Sequence, residues 1–514
     1  MNKRAFTVCF DLFIPSLASF TLTRIPKMKN LITVVCATAI IALAGCDSSS
    51  TPPPRVDTPP PPPPPSATIL VLQASPDAPI LNVSFDADLK PPAGSPLLDM
   101  DYKSGTPSFT LVTGPSENPD GVYEFQVDAD LPDGTTATVI GPLDMTFVQN
   151  TVYTIVTAGN YAGIAPVVFE QTLAKTGASA RLRIMHVAPL QGPVDVYVTA
   201  PDADLTLEAP LGPIDFGEAL DPLEFAPGDY QLRITMAGDS ADVLLDTGTT
   251  TLSDLDDLIV AVVENTSAGA MPLSLVVLDG IDTVEVLDAA STGDVRVVHS
   301  SAEAGIIDVL ADDMELFTDL DYTDVTDFAA MAPATYDVTV TPADMPTTEL
   351  IQTDLDVVAG ESYSLIALTN EVTVPAIDPA VDPFIFLVTN DDRRSVATDA
   401  KLRFIHGAPT ANTDVDGNQE GVDVYLTAVG ADITLETPEL AAFAFATNTG
   451  FGGTVPGTYD VTVTADGDAT VIIVPAVTIT IDAAGIYTIV MRDPDPAVAN
   501  DTVGFILMDD FTAP

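Results

Sequence analysis

From residue 67 onward, apolar and polar positions alternate in short runs, and the same succession of runs returns four times. Each unit opens on an apolar stretch: Thr68-Ile-Leu-Val-Leu-Gln73, Arg181-Leu-Arg-Ile-Met-His186, Asp294-Val-Arg-Val-Val-His299 and Lys401-Leu-Arg-Phe-Ile-His406. A second run follows at Leu81-Asn-Val83, Val194-Asp-Val-Tyr197, Ile307-Asp-Val309 and Val422-Asp-Val-Tyr425. After a turn comes a Tyr-centred run at Gly121-Val-Tyr123, Gly228-Asp-Tyr230, Ala334-Thr-Tyr336 and Gly457-Thr-Tyr459. Further apolar runs at 153–156, 258–263, 363–368 and 487–490 precede closing ones at Phe169, 275–278, 384–388 and 505–508.

Runs this short, rich in Val, Ile, Thr, Tyr and Phe and bounded by Gly, Pro and Asp, predict strands. No helical period of any length appears outside the N-terminal segment. The markers at 73, 186, 299 and 406 are 113, 113 and 107 residues apart. A period of that size means whole domains in tandem, not a solenoid of short repeats. The expectation is an all-β chain of four tandem antiparallel β-sandwich, immunoglobulin-like domains at 67–178, 179–292, 293–399 and 400–514. A closed barrel is the alternative, and four domains in a row predict a rod.

The N-terminal part is different. An apolar run at 31–44 follows Lys27 and Lys29 and ends in Leu43-Ala44-Gly45-Cys46. A charged start, an apolar stretch too short to span comfortably and small residues at the end make residues 1–46 a signal peptide. Met28 is the more natural start. The last four residues resemble a bacterial lipobox, which implies that Cys46 is lipidated and begins the mature chain. An ordinary signal peptide with a chance Cys is the alternative. Residues 47–66 form a Ser/Pro-rich linker, and its Pro runs favour an extended, semi-rigid stalk.

Composition narrows the chemistry. The 514 residues carry 74 Asp+Glu against 18 Lys+Arg, a net charge of −56. Loss of residues 1–46 removes Lys3, Arg4, Arg24, Lys27, Lys29 and Asp11, leaving 13 basic and 73 acidic residues, net −60. Nucleic acid is excluded as a partner, because phosphate binding needs a Lys/Arg surface. The three cysteines, Cys9, Cys36 and Cys46, all lie in the leader, so neither disulfides nor thiol catalysis serve the mature body.

The openings, above all Ala74-Ser-Pro-Asp-Ala-Pro79 and Val194-Asp-Val-Tyr197 with Arg183 and His186, resemble a bacterial envelope repeat, domain of unknown function 4397. The resemblance runs over nearly all of 67–514. The third unit departs from it, with Ala302-Glu-Ala-Gly305 where a Pro is expected. It implies architecture and a location in the cell envelope, and no chemistry.

Three constellations could carry function. His186, His299 and His406 occupy one equivalent position, where the first unit has Gln73. Gln can hold a loop by hydrogen bonds but cannot do acid–base work, so a buried structural role is expected of all four. Arg183, Arg296 and Arg403 lie three residues before each His, and Asp195, Asp308 and Asp423 lie in the second run. Both charges are absent from the first unit, which has Leu70 and Asn82 instead. A cross-strand ion pair is expected, with a repeated binding patch as the sharper alternative. Finally, Asp414, Asp416, Asn418 and Glu420 alternate like calcium ligands, although Gly417 stands one position early for an EF-hand loop. A solvated acidic loop is preferred over calcium, which is the one cofactor with a candidate site.

The functional expectation is a lipid-anchored, non-enzymatic envelope protein, structural, adhesive or ligand-binding. It would sit on the periplasmic face of the inner or outer membrane or at the cell surface. Its partners would be the membrane, through the anchor, and a protein or glycan. The rival is an envelope hydrolase or glycan-processing enzyme with a site between domains.

Overall fold

The computed structural model describes residues 65–86, 99–113, 120–172, 177–343, 345, 347–370, 383–411 and 421–510. Cys46, and the candidate calcium residues Asp414, Asp416, Asn418 and Glu420, lie outside them. The fold is all-β, and each of the four repeats is built from two sheets.

The first sheet centres on the opening strand, Ser66–Gln73, Ala180–His186, Gly293–Ser300 or Ala400–His406. On one side lies a short antiparallel edge strand, Phe109–Val112, Leu223–Phe225, Ala329–Met331 or Gly452–Thr454. On the other lies the penultimate strand, Thr151–Ala158, Asp257–Glu264, Ser362–Thr369 or Ile486–Arg492. The next strand, Ala165–Thr172, Leu273–Leu278, Phe384–Asn390 or Gly504–Asp509, pairs antiparallel with that one, and in the second repeat Thr283–Val286 adds a fifth strand beside it. The second sheet holds the second strand, Leu81–Phe85, Val194–Thr199, Ile307–Ala311 or Val422–Ala428. Beside it runs the Tyr strand, Val122–Asp130, Gly228–Met236, Ala334–Pro342 or Gly457–Ala465.

The antiparallel expectation needs one correction per repeat. Opening and penultimate strands pair parallel, as in Leu70↔Thr154, Ile184↔Val260, Val297↔Leu365 and Phe404↔Ile489. The chain leaves the opening strand, builds the second sheet and then returns in the original direction. Parallel neighbours require such a crossover in place of a hairpin.

The facing surfaces of the two sheets form each repeat's core. In the first repeat Ile69 and Val71 meet Leu81, Val83, Phe125 and Val127, all buried. The outer face of the first sheet is apolar as well. Leu70, Leu72 and Val156 of the first repeat pack against Met185, Ile259, Ala261 and Val276 of the second. Val298, Ile366 and Leu368 of the third pack against Ile405, Val490, Ile506 and Met508 of the fourth. The repeats therefore associate face to face in two pairs, first on second and third on fourth.

This explains a contrast in the sequence. Every residue of Gly293–Ser300 and of Ser362–Thr369 is buried, whereas burial alternates along Ile351–Val357 in the second sheet. A strand covered on both faces needs a continuous apolar run, and a strand with one wet face needs alternation. Residues 63–514 make one compact unit.

Candidate functional site

The equivalent His position lies at the inner end of the opening strand. All three imidazoles are fully buried. The backbone N–H two residues on donates to Nδ1: Ala188 to His186 at 3.4 Å, Ser301 to His299 at 3.3 Å, Ala408 to His406 at 3.4 Å. Nδ1 is thus the acceptor and Nε2 carries the proton. Nε2 donates to the Gly192 carbonyl in His186 (3.1 Å) and to Gly305 in His299 (2.7 Å). Each ring also meets an aromatic edge or face, Phe216, Tyr322, or Phe443 and Phe445. Burial lowers all three pKa values, that of His406 to about 3. In the first repeat Gln73 Oε1 accepts from the Ser75 N–H and Nε2 donates to the Ser75 carbonyl. Both residue types therefore serve this position in the same way, by fixing the loop that leaves the opening strand.

The expected ion pairs between Arg183 and Asp195, Arg296 and Asp308, and Arg403 and Asp423 are not made. Opening and second strands lie in opposite sheets, so these side chains never face each other. The aspartates cap turns in the second sheet. Asp195 accepts from Gly238 N–H (2.8 Å), Asp308 from Asp319 (2.8 Å), and Asp423 from Ala442 and Gly467 (3.0 Å each). Asn82 accepts from Asp99 N–H at 3.0 Å in the same way, which is why the first repeat can lack the acid.

The arginines face the neighbouring repeat. Arg183 donates to the Glu170 carbonyl in the last strand of the first repeat, with Phe169 under its guanidinium at 5.6 Å. Arg296 and Arg403 come from opposite sides of the third–fourth interface and share Asp391, at 2.7 and 2.8 Å. Arg296 also binds Asp510, and its Nε donates to Ser364 Oγ at 2.7 Å. Arg403 donates to Thr488 Oγ1 (3.0 Å) and Thr389 Oγ1 (3.1 Å). The result is a buried, neutral cluster of two guanidinium and two carboxylate groups.

The pairs carry a second matched device. Tyr102 Oη donates to the Glu264 carbonyl at 2.8 Å across the first–second interface, and Tyr322 Oη donates to the Asp493 carbonyl at 2.6 Å across the third–fourth. The carboxyl groups of those partners hold the loop after the next opening strand. Glu264 accepts from Leu190 N–H (2.7 Å) and Asp493 from Thr410 Oγ1 (2.5 Å), and burial raises both pKa values.

The family comparison has the same spacing. Residues 67–197 and 293–416 match the family described as "Domain of unknown function (DUF4397)". The chain is built of tandem repeats resembling this family. Both DUF4397 matches begin at an odd-numbered repeat and run on into its partner, two repeats apart. No curated protein matches the chain. Among solved structures, the fimbrial anchor protein Mfa2 from Porphyromonas gingivalis aligns over 42% of this chain and 98% of its own, at 12% identity and TM-score 0.18. The Bacillus anthracis TIE protein aligns over 83% and 74%, at 10% identity and TM-score 0.14.

Between the two pairs of repeats lies a polar cleft of about 290 Å³, lined by Tyr102, Lys103, Glu285, Glu361, Arg393 and Arg394 among others. Its cations are taken: Lys103 by Glu285, Arg393 by Asp294, Arg394 by Asp101. Arg394 also donates to the Ala78 carbonyl at 2.9 Å, and Ala397 N–H to the Asp77 carbonyl at 2.7 Å. The opening motif Ala74–Pro79 of the first repeat therefore receives the connection between third and fourth. Sequence reasoning identified that motif but missed this contact, because its partner is more than 300 residues away.

Proposed function

We propose that the chain is a lipid-anchored, non-enzymatic envelope protein whose paired DUF4397 repeats form a rigid body that presents strand edges and turns to a protein or glycan partner. One observation carries the non-enzymatic reading. Every described Lys, Arg and His side chain is engaged in hydrogen bonds or ion pairs with its own fold. In so acidic a chain these are the groups that would bind an anionic substrate or serve as acid and base at neutral pH, and they are committed to loops and junctions. The anchor rests on Leu43-Ala44-Gly45-Cys46 after the apolar run.

Replacing Cys46 with Ser should move the protein from the membrane pellet to the soluble fraction. Unchanged pelleting of that variant would refute the anchor. A measured turnover that vanishes in a folded chain lacking His186, His299 and His406 would overturn the non-enzymatic reading.

A further inference from the structure

Contacts within the pairs and contacts between them differ in kind. Among the described residues, each cluster of buried apolar side chains lies inside one pair. Across the junction lie two groups of hydrogen bonds. In the first, Ala268 N–H donates to the Gly360 carbonyl and Gly360 N–H to the Thr292 carbonyl, at 2.9 Å each. In the second, Arg394 binds Asp101 and the Ala78 carbonyl, and Ala397 N–H binds the Asp77 carbonyl. Ala268, Gly360, Asp101 and Arg394 all line the polar cleft.

The chain that joins the pairs is pinned on both sides of one residue. The Asp288 carboxylate accepts from the N–H groups of Asp246 and Ala290, at 2.8 Å each, and Ser291 N–H donates to the Asp288 carbonyl at 3.0 Å. The chain as far as Ser291 is therefore held to the second repeat. Gly293 opens the first strand of the third repeat, where a Cβ would stand 2.5 Å from a Val357 methyl group. Thr292 lies between these two fixed points. Arg394 belongs to the second pair: Asp391 N–H donates to the Ser362 carbonyl at 2.8 Å, and Asp392 pairs with Lys401.

We propose that this junction is a hinge that pivots at Thr292 and is latched by Arg394, and that ionic strength sets how far it opens. Each pair moves as one body, because an apolar face holds its two repeats together. Residues 67–292 carry 33 acidic and 6 basic residues, net −27, and residues 293–514 carry 38 and 6, net −32. Two bodies of like charge repel each other across the polar junction. The latch opposes that repulsion. The Arg394 side chain is 13% exposed, and beside its ion pair it donates to the Ala78 carbonyl. Salt acts unequally on the two effects. It screens exposed charges more than a Debye length apart, and weakens a partly buried contact much less. Salt therefore favours the closed state. Opening at low salt uncovers the cleft and the motif Ala74–Pro79 of the first repeat.

The chain from Asp47 onward has no cysteine, so spin labels on introduced cysteines report chosen distances by double electron–electron resonance. Leu207→Cys with Met314→Cys puts one label on each pair, and Val148→Cys with Leu207→Cys puts both on the first. All three side chains are exposed. The between-pair distance should show a short and a long population. The long-to-short ratio should fall about tenfold or more between about 0.01 and 1 M NaCl, as the Debye length drops from about 30 to about 3 Å. Arg394→Glu sets a like charge against Asp101 and should raise the ratio about tenfold or more at either salt. The within-pair distance should hold throughout, which separates opening from unfolding, and the salt series needs no variant at the latch. A between-pair distance as narrow as the within-pair one in both salts would overturn the proposal. So would a long population that grows with salt, or a ratio that Arg394→Glu leaves unchanged.

Discussion

Replacing Asp391 with Ala is expected to destabilise the pair formed by the third and fourth repeats by about 3–5 kcal/mol, the usual cost of leaving buried charge uncompensated. Asp391 is the shared counter-ion of Arg296 and Arg403, and its Oδ2 accepts from Arg296 at 2.7 Å and from Ser364 Oγ at 2.6 Å. The side chains of Arg296 and Arg403 are 6% and 1% exposed. Without Asp391, Arg403 would have no carboxylate partner and Arg296 would have only Asp510, which also accepts from Thr488 Oγ1 at 2.9 Å. The measurement is urea unfolding of the whole chain. Four packed repeats need not unfold in one step, so the variant should show an early transition absent from the wild type. Exchanging the whole cluster, Arg296, Arg403, Asp391 and Asp510, for apolar residues of similar volume should be far milder, because it removes the desolvation cost with the charges. The first pair already has Leu70 where the third repeat has Arg296. An Asp391→Ala chain that unfolds within about 1 kcal/mol of wild type would show that these charges are solvated in solution.

The cluster also marks where the sequence stops being readable. Inner-face positions such as Ile69, Val71, Leu81 and Val83 follow from alternation, a local pattern. The coincident loss of Arg and Asp in the first repeat was also visible, but the inference from it fails. Leu70 replaces Arg because the partner repeat offers it an apolar surface, and Asn82 replaces Asp because a turn amide needs only an oxygen acceptor. The two changes have separate causes. The true partners of Arg296 lie 95 and 214 residues further along the chain, outside the reach of any local rule. A signal for face-to-face pairing was nevertheless present. Runs such as Ile259-Val-Ala-Val-Val263 and Leu365-Ile-Ala-Leu368 do not alternate at all. An unbroken apolar strand in an otherwise one-sided sandwich requires a second cover. Pairing of neighbours supplies it here.

Mild acid should loosen this fold through its buried histidines. An unfolded histidine takes up a proton near pH 6.5. The folded imidazoles of His186, His299 and His406 resist it, because they are buried and because Nδ1 already accepts an N–H. A pKa lowered in the folded state means that the unfolded chain binds more protons. Stability is then complete above about pH 6.5 and falls as the pH drops, by up to about 1.4 kcal/mol per pH unit for each histidine. For His406 the loss continues toward pH 3. Two groups act with the opposite sign. Burial raises the pKa values of Glu264 and Asp493, so protonating them in acid relieves an unfavourable burial and offsets part of the loss. Capping aspartates such as Asp204 and Asp432 sit below the usual carboxylate range, held there by Thr206 and Thr434, and their contribution fades only below about pH 4. Between about pH 7.5 and 5.5 the unfolded histidines take up their protons, with Glu264 and Asp493 offsetting part of the slope in both chains compared below. Denaturant unfolding across this range should show stability falling with acidification. A chain carrying His186→Gln, His299→Gln and His406→Gln, the residue that Gln73 provides in the first repeat, should be nearly flat over the same range. Equal slopes in the two chains would mean that the proton uptake belongs to other groups, and that the shared position does not control the acid sensitivity of the fold.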